Sequence, residues 1–78
     1  MVAQADPPKD AKTALQEWAQ KRGLELPDYQ VTGREGPPHD PVFVITVVIA
    51  DQTGEGRAGS KRAAEQLAAE QLRSKLKL

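Results

Sequence analysis

Val42-Phe43-Val44-Ile45-Thr46-Val47-Val48-Ile49 decides the fold. Every residue of this run except Phe43 is β-branched, and such side chains fit a pleated strand better than a helix. The run is far shorter than the roughly 20 apolar residues a bilayer-spanning helix needs. It therefore reads as the central strand of a sheet. Upstream, Tyr29-Gln30-Val31-Thr32 alternates as a half-buried strand does, and the Gly- and Pro-rich residues 33–41 break it. Downstream, Asp51-Gln52 reads as a turn into a third, Gly-rich and short strand over residues 53–58.

A helix lies beyond each outer strand. Ser60 has the chemistry of an N-cap, and from there to about Lys75 the residues Ala64, Leu67, Ala68, Leu72 and Leu76 fall on one helical face. Toward the N-terminus, Ala11, Leu15, Trp18 and Ala19 recur at helical spacing over residues 11–22, extended by the aliphatic stem of Arg22. Asp10 can cap this helix, and Gly23 can end it as a left-handed C′ residue. Residues 24–27 are a connector. Residues 1–9, with two consecutive prolines and nothing to bury, read as a linker or added tail, which leaves 10–78 as one domain.

The order is helix, three antiparallel strands, helix: an α+β, α-β-β-β-α domain. Both helices have an apolar face, and an antiparallel sheet needs only one face covered, so the two should pack side by side on the same side of the sheet. Trp18, Tyr29 and Phe43 are then core residues, and too few aromatics remain to build a base-stacking platform.

A 78-residue chain has room for one small core. Without cysteine it has neither disulfides nor thiolate metal sites, and one histidine cannot build an imidazole cluster, so no metal or cofactor is expected. That composition is compatible with a reducing cytoplasm. The first residues lack the basic and apolar regions of a secretory signal, and no segment is long enough to cross a membrane.

Formal net charge is zero, yet the charge is unevenly distributed. From residue 57 onward Arg57, Lys61, Arg62, Arg73, Lys75 and Lys77 face only Glu65 and Glu70, whereas the preceding residues carry five basic side chains against nine acids. The chain is a dipole with its positive end at the last helix. A solvated helix face would account for that distribution equally well. Gly59-Ser60-Lys61-Arg62, however, combines two cations with the unpartnered amides of a helix start, a combination that favours a polyanion.

Several motifs mislead. Gly54-Glu55-Gly56-Arg57-Ala58-Gly59 fits G-x-G-x-x-G between a strand and a helix, but a dinucleotide fold needs further β-α units and an acidic ribose ligand about 20 residues on. Ser60-Lys61 reverses the Lys-Ser/Thr order of a P-loop. Neither Gly33-Arg34-Glu35-Gly36 nor Gly56-Arg57-Ala58-Gly59 joins two helices as a KH-domain clamp does. No catalytic constellation is present. Ser60 has no base partner in sequence, the carboxylates follow no metal-binding repeat, and His39 taken alone is a solvated loop residue.

Three segments together resemble a double-stranded RNA-binding domain, most nearly the C-terminal domain of bacterial ribonuclease III. They are Thr13-Ala14-Leu15-Gln16-Glu17-Trp18, Gly36-Pro37-Pro38-His39-Asp40-Pro41, and Gly59-Ser60-Lys61-Arg62-Ala63-Ala64-Glu65-Gln66 with Ala68-Ala69. The resemblance implies the same α-β-β-β-α fold and a shape-selective grip on A-form duplex. Domains of that family span about 16 base pairs, touching two minor grooves and the phosphates between them. On that pattern Thr13, Gln16, Glu17 and Gln20 would meet 2′-hydroxyls in one minor groove. Gly36, Pro38 and His39 would enter the next, and Gly59, Ser60, Lys61 and Arg62 would cross the intervening phosphates. At Glu65 many family members carry a further lysine, so one phosphate contact is lost here.

The resemblance also implies that this chain is the substrate-holding part of a bacterial RNA-processing enzyme. That parent would be a double-strand-specific endoribonuclease, compatible with a homodimer formed through a domain outside this chain; no match to the acidic signature of the nuclease domain occurs in the present residues. The competing expectations are a protein-interaction or dimerisation module of the same fold, supported by the zero net charge, and a small nucleotide-binding protein using the 54–59 loop.

Overall fold

A computed structural model describes residues 11–77. The expected linker at 1–9 and the expected cap Asp10 lie outside the described residues. The elements run α1 (Ala11–Lys21), β1 (Asp28–Glu35), β2 (Val42–Ile49), β3 (Gln52–Ala58) and α2 (Lys61–Lys75), and the sheet order is β1-β2-β3 with both pairs antiparallel. The α+β architecture follows the sequence expectation, and β2 has the expected bounds.

The core lies between the sheet and the two helices. Ile45, Val47 and Ile49 of β2 meet Ala11, Leu15 and Ala19 of α1 and Ala64, Ala68, Ala69 and Leu72 of α2. Each fully buried Leu, Ile or Val stabilises the fold by roughly 1.5–3 kcal/mol. Trp18, Tyr29 and Phe43 are half-buried and pack against this cluster from its rim, each with a cation over its ring. Wholly interior positions would have forbidden those cations.

Glycine explains the third strand. On β3, Gly54 and Gly56 share the helix-facing side of the strand, and α2 lies directly on them. A Cβ added to Gly56 would sit 2.3 Å from the Ala68 amide nitrogen and 2.4 Å from the Ala64 carbonyl oxygen, and one added to Gly54 would sit 2.6 Å from the Ala68 carbonyl oxygen. Over Gly56 the helix presents Ala64 and Ala68, while Leu72 packs over Gly54. Alanines 64, 68 and 69 are buried, while Leu67, expected in the core, is 48% exposed. The Gly-x-Gly of the dinucleotide-like motif is a packing device.

Three boundaries differ from expectation. β1 continues to Glu35 because Gly33 pairs with Val44 instead of breaking the strand, the extra residue being absorbed by a bulge between Val31 and Gly33. Gly36, at φ +85, makes the actual exit. The β2–β3 turn is Ala50-Asp51, since Gln52 already pairs with Ile49, and Ala50 takes a left-handed φ of +53. α1 ends at Lys21 in a Schellman motif. Gly23, at φ +68, donates to the Gln20 carbonyl at 3.1 Å, Leu24 donates to the Ala19 carbonyl at 2.9 Å, and Leu24 packs on the core.

Candidate functional site

The start of α2 carries cations where a helix least favours them. Ser60 is the N-cap in extended geometry, φ −136 and ψ 154, and its Oγ accepts from the Ala63 amide at 3.1 Å while its carbonyl accepts from Ala64 at 2.9 Å. The amides of Lys61 and Arg62 head the helix with no intrahelical acceptor. Acidic residues normally occupy such a first turn; this one has none. Lys61 and Arg62 are exposed, and among the described residues neither has a carboxylate partner.

The other basic residues of α2 and β3 are engaged within the fold. Arg73 lies 3.3 Å from Glu70, Lys75 donates to the Thr53 carbonyl at 2.8 Å, and Arg57 lies 3.6 Å from Glu55 and 4.0 Å from Glu35. Gln71 accepts from the Glu55 amide at 2.8 Å, so with Lys75 it covers part of the outer edge of β3. Arg57 stands opposite Val44 on the sheet face away from the helices, and Val44 is only 5% exposed there.

Gly36, Pro38 and His39 lie in the exposed β1–β2 loop, tightened by the Asp40 amide donating to the Pro37 carbonyl at 2.9 Å. A Cβ on Gly36 would come within 2.7 Å of the Asp40 carbonyl oxygen, so both its backbone angle and the lack of space demand glycine. The loop ends beside the helix start: a Cβ on Gly59 would lie 3.9 Å from the Pro41 carbonyl oxygen. Two of the three expected patches are therefore neighbours.

Thr13, Gln16 and Gln20 are exposed and Glu17 is half-buried, on the side of α1 turned from its buried stripe of Ala11, Leu15 and Ala19. α1 is tied to α2 by Lys12, whose Nζ lies 2.7 Å from Glu65 Oε1 and 4.9 Å from the centre of the Tyr29 ring. Glu65 thus ties α2 to α1. That ion pair joins residues 53 positions apart, and no local sequence signal could have disclosed it.

Among the described residues no group of His, Asp and Glu is placed to hold a metal ion, and no helix is long and apolar enough to cross a membrane. A shallow hollow of about 300 Å³ is lined by Leu24, Glu25, Leu26, Asp28, Val48 and Ala50, none of which belongs to the three patches.

Comparison with known proteins is unambiguous as to family. The family model described as "Double-stranded RNA binding motif" matches residues 11–76. A protein named Ribonuclease 3 from Rhodobacter capsulatus is 59% identical over 54 residues, covering 68% of this chain and 24% of that protein. Another of that name, from Phenylobacterium zucineum, is 51% identical over 53 residues, covering 64% and 22%. The chain thus spans about a quarter of the length of these curated relatives. A structure of Arabidopsis HYL1 superposes with a TM-score of 0.77 at 35% identity, covering 90% of this chain and all of that one. A variant of the double-stranded RNA-binding domain of human tRNA-dihydrouridine(20) synthase superposes with a TM-score of 0.76 at 30% identity, covering 100% of this chain and 81% of that one.

Proposed function

From the premise that this chain belongs to the double-stranded RNA-binding motif family, we propose that it binds double-stranded RNA by shape. The observation that carries this reading is the pair Lys61 and Arg62 at the positive pole of α2, exposed and, among the described residues, without carboxylate partners. Cations there cost stability in the free protein, and phosphate oxygens compensate them. The Lys61 and Arg62 side chains, with the Gly59 and Ser60 amides, cross the phosphates that rim the major groove.

The two minor grooves on either side present 2′-hydroxyls. The face formed by Thr13, Gln16, Glu17 and Gln20 supplies amides, a hydroxyl and a carboxylate that can donate to or accept from them, which is why it need not be cationic. His39, with the Gly36 and Pro38 backbone, enters the second groove. Nothing in this division of labour requires a catalytic group, a metal or a cofactor in this chain. The similarity to Ribonuclease 3 proteins over a quarter of their length supports a role as the substrate-holding part of a double-strand-specific endoribonuclease.

Titration of a long RNA hairpin tests the reading. Lys61→Ala with Arg62→Ala should abolish most binding with the fold intact, and undiminished affinity would remove the phosphate assignment. Gln16→Ala and His39→Ala should each narrow the preference for RNA over DNA duplex; equal losses on both duplexes would contradict the 2′-hydroxyl assignment.

A further inference from the structure

Among the described residues, Arg34 is a cation without a carboxylate partner. It lies on β1 directly opposite Phe43 of β2, with its guanidinium 5.6 Å from the centre of the Phe43 ring. The Lys61 ammonium lies 6.0 Å from the centre of that same ring. Two like charges, 27 positions apart in sequence, thus share one aromatic side chain. Attraction to the ring offsets part of their repulsion, but the ring carries no countercharge.

Strand alternation explains why no carboxylate comes to their aid. Arg34 and Glu35 are adjacent, so their side chains leave β1 on opposite faces. Arg34 falls on the helix side with Phe43. Glu35 falls on the open side, where Arg57 lies 4.0 Å away and is itself 3.6 Å from Glu55. On the open face Arg57 thus has two carboxylates beside it, whereas among the described residues the cations where β1 meets the β1–β2 loop have none. Arg34 is exposed, two residues before Gly36, and among the described residues it makes no ion pair.

The geometry points to Arg34 as a further phosphate contact, acting with Lys61 across Phe43 and gripping the duplex backbone beside the groove that the His39 loop enters. This assignment rests on the duplex-RNA reading above. It extends the phosphate-binding surface off α2 and onto β1.

The test uses the whole chain, an RNA duplex of about 20 base pairs, enough for one roughly 16-base-pair footprint, and a series of salt concentrations. Arg34→Gln should weaken binding about three- to tenfold and lower the slope of log affinity against log salt by about one, the signature of one lost phosphate contact. Arg34→Lys should keep most of both, and the thermal midpoint should move little in either variant. If Arg34→Gln keeps wild-type affinity and slope while Lys61→Ala with Arg62→Ala loses binding, the Arg34 assignment falls and the function stands. If both Arg34 variants lose the same affinity together with a large drop in midpoint, the residue is structural and the assignment likewise falls. If the unaltered chain fails to bind the duplex at all, the functional reading falls, and this assignment with it.

Discussion

The two ends of α2 carry the same kinds of side chain and treat them in opposite ways. At the C-terminal end Arg73 and Lys75 sit in the last turn, where the helix dipole favours cations, and both are engaged, one with Glu70 and the other with the Thr53 carbonyl. At the N-terminal end Lys61 and Arg62 oppose the dipole and have no acid to pair with in their turn. The first arrangement stabilises the domain by itself. The second makes sense only with an anion that the protein does not supply, and so the end of α2 that destabilises the free chain is the end read as the binding end.

Both ends depend on the seat of α2 on β3, and the largest way to break the comparison is to lift the helix off. Gly56→Ala should cost about 3 kcal/mol or more, because the new methyl meets helix backbone that cannot move aside. Denaturant unfolding would register this, and a loss below 1 kcal/mol would mean that α2 does not lie where it is described. Next in size is the cap. Ser60→Ala removes the bond to the Ala63 amide and should cost about 1 kcal/mol, measured the same way; no loss would show that the N-terminal turn is not anchored as drawn.

Charge reversal then sharpens the contrast directly. Lys61→Glu with Arg62→Glu should raise stability by about 0.3–1 kcal/mol per position, and Arg73→Glu with Lys75→Glu should lower it by a similar amount. Thermal midpoints moving in the same direction for both pairs would contradict the account. The smallest expected effect is at the bridge between the helices. Glu65→Lys removes the partner of Lys12 and should cost about 0.2–1 kcal/mol, the range for partly exposed pairs, while increasing duplex affinity through the added cation. Unchanged affinity in a filter-binding or fluorescence titration would show that this turn of α2 does not approach phosphate.

Local rules reached as far as local causes extend. The β-branched run of β2, the Ser60 cap and the Gly23 stop were legible because each depends on the residue itself and its immediate neighbours. β1 was cut short because Gly33 signals a break in sequence, although in the sheet it pairs through a bulge. A leucine on a helix stripe normally belongs to the core, and Leu67 is exposed instead. Gly56, seen under the helix, brings the backbone so close that Ala64 and Ala68 take that role there.

The same limit applied to the site. Lys61, Arg62 and the 36–41 loop stood out through the combination of charge, helix start and family resemblance. Arg34 did not, because its significance depends on Phe43 and Lys61 arriving beside it from β2 and α2. Lys12 and Glu65 likewise acquire their role only when the two helices meet.

The most direct test compares the two reversed pairs, Lys61→Glu with Arg62→Glu and Arg73→Glu with Lys75→Glu, on one RNA duplex across a range of salt. Both variants change the net charge of the chain by the same amount, so a general electrostatic effect would weaken them equally. The account predicts that the N-terminal pair loses nearly all affinity and about two units of salt slope, whereas the C-terminal pair retains most of both. Equal losses at the two ends, or a greater loss at the C-terminal end, would contradict it.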